Sequence, residues 1–279
     1  MIIVKLQGGL GNQMFQYAAA RSLSKSKKVD LDFSFLLQNN VTNDSFSARQ
    51  FELGIFHKLK ARIISNYFIK LLKSKKKLFK ILSNRYYEVN DENILNHSNI
   101  NSSNLYLDGY FQNPLIFQNF RDTLIDEFTF PQLTSQSKKI ELKITAVKNP
   151  VAVHIRRGDY VKPEILNYHG LLSTTYYKQS VELINSKIEN PVFFIFSDDT
   201  EWCKNNLSFI DKKQIITGTT HSWEDLYLMS KCKHQIIANS TFSWWGAWLN
   251  LNPEKIVIAP KRWLSYVETN IIPKEWISL

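Results

Sequence analysis

The sequence predicts an α/β protein made of two domains. Its 279 residues exceed the ~100 to 200 residues of one ordinary domain. The second half alternates short apolar strands with helical segments, which is typical of a parallel sheet wrapped by helices. The first half begins with a strand, a Gly-rich turn and a helix. We therefore assign residues 1–140 to an N-terminal domain and 150–279 to a C-terminal domain, with the boundary between Thr129 and Pro150.

The N-terminal elements follow the order of the apolar segments. Residues 2–6 predict a buried strand, the turn QGGLGNQ comes next, and the following helix carries Phe15 and Leu23 on one face. The segment KVDLDF at 28–33 supplies the next strand. Residues 34–130 are less regular and predict a modified α/β arrangement that includes a strand in LYLDGYF.

The C-terminal half alternates five predicted strands with four predicted helices. Strands are predicted at VAVHI, VFFIF, QII, QIIA and KIVIA, with helices at 174–188, from Thr200, at 223–231 and at 242–250. Polar residues follow these strands, so we expect them at the carboxyl edge of the sheet, where doubly wound folds bind ligands.

Composition excludes several classes of protein. A chain that is 44% hydrophobic and 22% charged is typical of folded globular proteins. No apolar run approaches the ~20 residues of a membrane-spanning helix, and the start does not resemble a signal peptide, so we expect a cytoplasmic protein. Cys203 and Cys232 lack a CxxC spacing and are expected to be reduced and packed. The six histidines show no paired ligand spacing, so no metal site is predicted.

Positive charge is concentrated in the N-terminal half. The net charge is +10, and residues 58–80 carry nine cations and no acid. Apolar residues between these cations predict a basic amphipathic helical insertion at about 58–82. One interpretation places it on the anionic inner face of a membrane, and the other packs its apolar side on its own domain. No base-reading motif accompanies it, so nucleic acid is not an expected partner.

The segment HIRRGDY at 154–160 ends a strand and carries two adjacent arginines. A guanidinium is a planar fork of donors that matches phosphate oxygens, so Arg156 and Arg157 predict a pyrophosphate clamp. The alternative is a structural ion pair with Asp159 or Asp198.

The segment ANSTFSWWGAWLN at 238–250 places polar residues where a strand ends and a helix begins. Unpaired N–H groups at such a helix start bind anions, whereas the alternative for Ser240 or Thr241 is a simple N-cap. We expect three tryptophans of this helix to pack in the core: Trp244, Trp245 and Trp248.

Carboxylates occur in three further patterns. In FSDD, one of Asp198 and Asp199 is expected to bind a base or ribose and the other to cap the next helix. In HSWED, Ser222 and Asp225 have the spacing of a capping box. Asp30-Leu31-Asp32 has the spacing of metal-binding aspartates, but it lies far from the arginine motif, and we interpret it as an ordinary strand end.

Four segments together resemble glycosyltransferase family 11, the alpha-1,2-fucosyltransferases, in their bacterial form. They occur in the family's order and are GGLGNQMFQYAAARSL, HIRRGDY, FSDD with Trp202 and Cys203, and ANSTFSWWGAWL. Residues 34–130 contribute little. The resemblance implies a GT-B-like architecture of two facing Rossmann-type domains, the first on the acceptor side and the second binding GDP-fucose. It also implies inversion at C1 of fucose without a metal or other cofactor.

The resemblance also implies roles for individual residues. The donor site would contain His154, Arg156, Arg157, Asn239, Ser240, Thr241 and Phe242, with Asp198 beside them. The acceptor side would contain Gly11, Asn12 and Gln13, with Asn12 facing the fucose. Arg156 and the helix start would meet the charge that develops on the departing pyrophosphate. The proton acceptor is not identified, because Asp159, Glu164 and a water molecule remain alternatives.

The sequence therefore predicts transfer of L-fucose from GDP-fucose to O2 of a terminal galactose in a surface polysaccharide of the O-antigen type. One alternative keeps the GDP-sugar but changes the linkage or acceptor. A more distant alternative is a polyanion-binding module that uses residues 58–80. The expected partners are GDP-fucose, a galactose-terminated glycan and the anionic membrane surface.

Overall fold

The computed structural model describes residues 1–24, 28–72, 86–95 and 104–279. The chain forms two compact units. Unit 1 comprises Met1–Asn43 and Ser47–Pro131, and unit 2 comprises Asp44–Phe46 and Gln132–Leu279. Residues 132–140, which the sequence analysis assigned to the first domain, thus belong to unit 2.

Unit 1 is built on a parallel sheet. Its spatial order is β3 (Ala61–Ile63), β2 (Val29–Asp32), β1 (Ile2–Lys5), β5 (Leu105–Leu107) and β4 (Tyr87–Val89). Its described helices are α1 (Leu10–Ser24), α2 (Ser34–Gln38), α3 (Asn66–Leu72) and α4 (Arg121–Glu127). The strand order reverses at β1, so the loop between β1 and α1 lies at the switch point of the sheet.

The core of unit 1 forms around α1, whose small and aromatic residues pack on the sheet. Ala18, Ala19 and Ala20 are fully buried, and Phe15 meets Phe117 edge to face at 5.8 Å between ring centroids. Arg21 at the end of the helix forms a buried ion pair with Glu127, at 2.9 Å.

The prediction of a helical insertion beginning near residue 58 is wrong for its first part. Residues 61–63 form β3 and pair with β2, and a helix is present only from Asn66 to Leu72. The cations also meet acids that are distant in sequence, since Lys58 pairs with Asp126 at 2.6 Å. The remainder of the insertion, residues 73–82, lies outside the described residues.

Unit 2 contains a second parallel sheet. Its spatial order is β11 (Ile277–Ser278), β10 (Val257–Ala259), β9 (His234–Ile236), β6 (Pro150–Ile155), β7 (Val192–Ser197) and β8 (Lys213–Ile215). Its helices are α5 (Ser135–Thr145), α6 (Pro163–His169), α7 (Thr174–Lys187), α8 (Thr200–Asn206), α9 (Ser222–Lys231) and α10 (Thr241–Trp248). A 3-10 turn spans Gly158–Val161.

The core of unit 2 surrounds β6, which is buried along its whole length because helices and neighbouring strands cover it. As predicted, Trp244 and Trp245 are fully buried and Trp248 is 7% exposed. Cys203 and Cys232 are free and buried, as expected. In the described part of the chain, no helix is long and apolar enough to span a membrane.

The predicted capping box at α9 involves different residues. The N-cap is His221 rather than Ser222, and Glu224 rather than Asp225 bonds back to it, accepting from the His221 N–H at 3.2 Å. The buried Glu224 also accepts from the N–H groups of Thr134 and Thr220. It therefore joins the segment before α5 to the loop before α9.

Candidate functional site

The switch point of the second sheet lies between β6 and β9. From β6 the chain proceeds to β7 and β8 on one side of the sheet, whereas β9 leads to β10 and β11 on the other. In doubly wound folds the crevice at the carboxyl ends of such a strand pair is the usual ligand site. The arginine motif directly follows β6, and the segment at 237–241 directly follows β9.

Both arginines are held by carboxylates. Arg156 bonds to Asp159 at 2.5 Å and to Asp198 at 2.7 Å. Arg157 bonds to Asp199 at 3.2 Å, and its guanidinium lies 4.5 Å from the centre of the Trp202 ring. Ion pairing, which the sequence left as an alternative for each arginine, thus occurs at both.

The ion pairs orient the guanidinium groups without using all their donors. Each guanidinium has five N–H donors, and these contacts occupy two on Arg156 and one on Arg157. Both side chains remain partly accessible, at 24% and 21% exposure. Asp199 additionally caps α8 by accepting from the Trp202 N–H at 3.0 Å, which is one of the two roles expected for this aspartate pair.

The start of α10 supplies a second group of donors at the same edge. Ser240 occupies the N-cap position, yet its side chain makes no capping hydrogen bond. Thr241 and Phe242 begin the first turn and are partly exposed, and their N–H groups carry the positive end of the helix dipole. This arrangement can bind an anion.

His154 lies beneath this turn, 5.9 Å from the Phe242 ring. Burial, assisted by the charge of Arg156, lowers the pKa of His154 to about 3, so the imidazole is neutral at physiological pH. Its Nδ1 is buried and has no hydrogen-bond partner among the described residues. An unsatisfied nitrogen of this kind is costly, which suggests a ligand or water as its partner.

Asn239 acts within the loop rather than toward solvent. The residue is 3% exposed, and its Nδ2 donates to the carbonyl oxygen of His169 at 2.7 Å, with longer contacts to those of Gly170 and Trp263. Its own carbonyl accepts from the Tyr160 hydroxyl at 3.1 Å. Asn239 therefore fastens the end of α6 to the turn between β9 and α10.

Sequence reasoning missed several residues that support this edge. The Tyr176 hydroxyl donates to the carbonyl oxygen of Ile237 at 2.7 Å, directly before the turn. His169, at the end of α6, stacks on Tyr160. In the sequence, His169 could be noticed only because it precedes Gly170, a residue type that often ends a helix. The structure shows that Gly170 does end α6, with a φ of 72°.

Of the two carboxylates considered as proton acceptors, Asp159 is engaged with Arg156, and Glu164 is exposed in the first turn of α6.

The predicted acceptor-side residues lie at the switch point of the first sheet. Asn12 is in the first turn of α1, and its Oδ1 accepts from Gln112 at 3.0 Å. Gly8 has a φ of 76°, and a Cβ on it would lie 2.3 Å from the Asn12 Nδ2. Glycine is favoured at this position, because the positive φ strains any residue with a Cβ and the added Cβ would displace the Asn12 side chain.

Gln13 and Gly11 contribute to the structure of this loop. Gln13 is fully buried and donates to the carbonyl oxygens of Gly8 and Gln50, while its Oε1 accepts from the Glu52 N–H. Gly11 is buried within α1. Of the three predicted residues, Asn12 is the partly exposed one.

Comparison with known proteins identifies the family of this chain. The model of glycosyl transferase family 11 matches residues 1–279. The chain belongs to this family.

Two relatives of similar length come from Escherichia coli. The alpha-1,2-colitosyltransferase is 34% identical over all of this chain and 99% of its own, and the O-antigen biosynthesis glycosyltransferase WbnK is 33% identical over 98% and 99%.

The solved structure of another protein has a similar fold. The alpha-1,6-fucosyltransferase NodZ, soaked with GDP-fucose, superimposes with a TM-score of 0.52 over 92% of this chain and 94% of its own. Its sequence identity is 13%, so the likeness concerns the fold alone. The predicted fold class, GT-B-like with two parallel α/β units, is confirmed.

The early aspartates of the family 11 chain have structural partners. Asp30 pairs with Arg62, and Asp32 accepts from the Tyr106 hydroxyl and the Ser34 N–H. Within the described residues, no group of three or more His, Cys, Asp or Glu side chains is placed to hold a metal ion.

Proposed function

We propose that this glycosyltransferase moves L-fucose from GDP-fucose to O2 of a terminal galactose, with inversion at C1, during assembly of a surface polysaccharide of the O-antigen type. One observation carries the proposal: two arginines oriented by ion pairs and the start of α10, which has no side-chain cap, both lie at the switch point between β6 and β9. The family supports a sugar transfer, and both Escherichia coli relatives have nearly the same length as this chain.

The chemistry of the leaving group fits these residues. Breaking the bond between C1 and the β-phosphate leaves negative charge on GDP, which must be stabilised in the transition state. The remaining N–H donors of Arg156 and Arg157 and the first turn of α10 can share that charge. The ion pairs favour this role because they fix the guanidinium groups before the donor binds. We propose accordingly that the transfer needs no metal ion.

A second candidate donor is GDP-colitose, because a relative at 34% identity is named for colitose transfer. Colitose is L-fucose without its 3-hydroxyl group, so the two donors share the diphosphate and differ at one position of the sugar. A site that hydrogen-bonds the 3-hydroxyl would discriminate strongly against colitose, whereas an apolar contact there would not.

The test is a GDP-release assay with GDP-fucose and GDP-colitose against a panel of galactosides, in EDTA and in Mg²⁺. We expect release that depends on the galactoside, a product linked to O2, and similar rates in both buffers. A higher kcat/KM for GDP-colitose than for GDP-fucose would show that GDP-colitose is the preferred donor. A product linked at another hydroxyl would show that the proposed linkage to O2 is wrong. GDP release that strictly requires the metal would refute the metal-independent part of the proposal.

A further inference from the structure

The end of α6 places a histidine side chain next to the arginine motif. The Tyr160 ring contacts both, with the Arg156 guanidinium 5.5 Å from its centre. The His169 imidazole stacks on Tyr160 at 4.5 Å between ring centroids and 15° between planes. The Tyr168 ring contacts the same imidazole edge to face at 4.9 Å. The imidazole is thus fixed in orientation by two aromatic rings.

The ring nitrogens of His169 are not used by the fold. No described residue forms a hydrogen bond with either nitrogen, and the side chain is partly exposed. The backbone carbonyl of His169, in contrast, is anchored by Asn239. A rigid imidazole with available nitrogens at a ligand-binding edge can accept a proton from a bound molecule.

The charges around His169 suit this task. The charged groups that act on it are Asp159 in the 3-10 turn and Arg156 at the end of β6. Burial, together with Arg156, lowers the pKa of His169 below its usual 6.5, although Asp159 acts in the opposite direction. The neutral form therefore predominates at pH 7, and the imidazolium formed by proton uptake would be stabilised by the Asp159 carboxylate.

Tyr160 contacts both groups, so the imidazole and the guanidinium lie at the same carboxyl edge of the sheet. A general base at this edge must lie within roughly 3 Å of the acceptor oxygen, on the face of the sugar opposite the departing GDP.

We propose that His169 is the general base of the transfer, an inference that rests on the proposed function. The acceptor O2 attacks C1 of the donor sugar and forms the new C–O bond. The bond between C1 and the β-phosphate oxygen breaks, and its electron pair stays on GDP. The proton of the acceptor hydroxyl passes to an imidazole nitrogen and leaves to solvent after the product departs.

The test compares His169→Phe with His221→Phe. Phenylalanine at 169 keeps a ring against Tyr160 and removes both nitrogens. His221 is a matched control, because it also stacks on an aromatic ring in unit 2, that of Trp223 at 5.9 Å and 11°. We expect His169→Phe to lower kcat/KM for the acceptor about 10²- to 10⁴-fold. GDP affinity, measured by calorimetry, should change less than about threefold. His221→Phe should retain the wild-type rate.

The pH profile separates a base from a structural residue. Wild-type kcat/KM for the acceptor should fall on the acid side as His169 becomes protonated below pH 6.5, and the residual activity of His169→Phe should lack this fall. His169→Gln, which also lacks a titrating nitrogen, provides a second variant should the first not fold. Activity within tenfold of wild type with the acid limb intact would overturn the role of His169, as would equal losses of GDP affinity and turnover. A wild-type protein that binds GDP but transfers no sugar would overturn the proposed function, and the role of His169 with it.

Discussion

Glu224 is predicted to be a principal stabilising residue of unit 2. The residue is fully buried, and its carboxylate accepts from three backbone N–H groups, those of Thr134 at 2.8 Å, Thr220 at 2.9 Å and His221 at 3.2 Å. In Glu224→Ala all three donors lose their partner. In Glu224→Gln one oxygen remains, but the new amide group faces at least one of the donors.

The magnitude follows from the pKa of the carboxyl group. Burial alone would raise the pKa of Glu224, but the hydrogen bonds from Thr134, Thr220 and His221 outweigh it and lower the pKa from 4.5 to about 2. At 1.36 kcal/mol per pKa unit, the ionised carboxylate contributes about 3 kcal/mol to the free energy of unfolding at pH 7. We expect Glu224→Gln to cost about 2 to 3 kcal/mol and Glu224→Ala about 3 to 5 kcal/mol.

The pH dependence has a defined sign. The folded-state pKa lies below the unfolded one, so the stabilisation is fully present above pH 4.5 and is lost as the pH falls toward 2. The difference in unfolding free energy between wild type and Glu224→Gln should therefore be constant from pH 5 to 8 and roughly halved at pH 3.

The assay is urea unfolding followed by tryptophan fluorescence. All seven tryptophans lie at position 202 or beyond, so the signal reports unit 2. Glu201→Gln is the control, because Glu201 is 74% exposed and its ion pair is with Lys204 on the same exposed helix face, and it should change stability by less than about 0.5 kcal/mol. A loss below 1 kcal/mol in Glu224→Ala, or a difference independent of pH down to 3, would refute this reasoning.

Three further predictions concern the candidate site and the membrane. Arg156→Ala should lower turnover at least ~10²-fold, since a donor to developing charge is lost, and a folded variant that keeps a tenth of wild-type turnover would contradict the clamp. Gly8→Ala should lower the free energy of unfolding by ~1 to 3 kcal/mol and displace the Asn12 side chain. Gly9→Ala is the control and should be tolerated, because its Cβ would lie 3.5 Å from Glu52. Similar unfolding midpoints for the two variants would refute the steric argument. The membrane prediction is tested by replacing four lysines with glutamine, namely Lys73, Lys75, Lys76 and Lys77. This variant should co-sediment less with anionic liposomes at low salt and keep its turnover on a soluble acceptor, and unchanged liposome binding would contradict the prediction.

The sequence alone determined the fold class and the family. Alternating strands and helices are local patterns, and each polar segment after a strand lies at the carboxyl edge in any parallel sheet. HIRRGDY and NSTF could therefore be placed together before the structure was known, and the burial of the tryptophans in α10 followed from composition.

The tertiary structure decided which side chains meet. Ala61–Ile63 became a strand because pairing with β2 outweighed a local helical pattern. Glu224 rather than Asp225 became the capping residue because its partners include Thr134, which is 90 residues away in sequence. Asn239 became a clamp for the same reason, since its main acceptor, the His169 carbonyl, is 70 residues away. Contacts across such separations leave no periodicity in the sequence, because they depend on how the strands and loops are brought together in space.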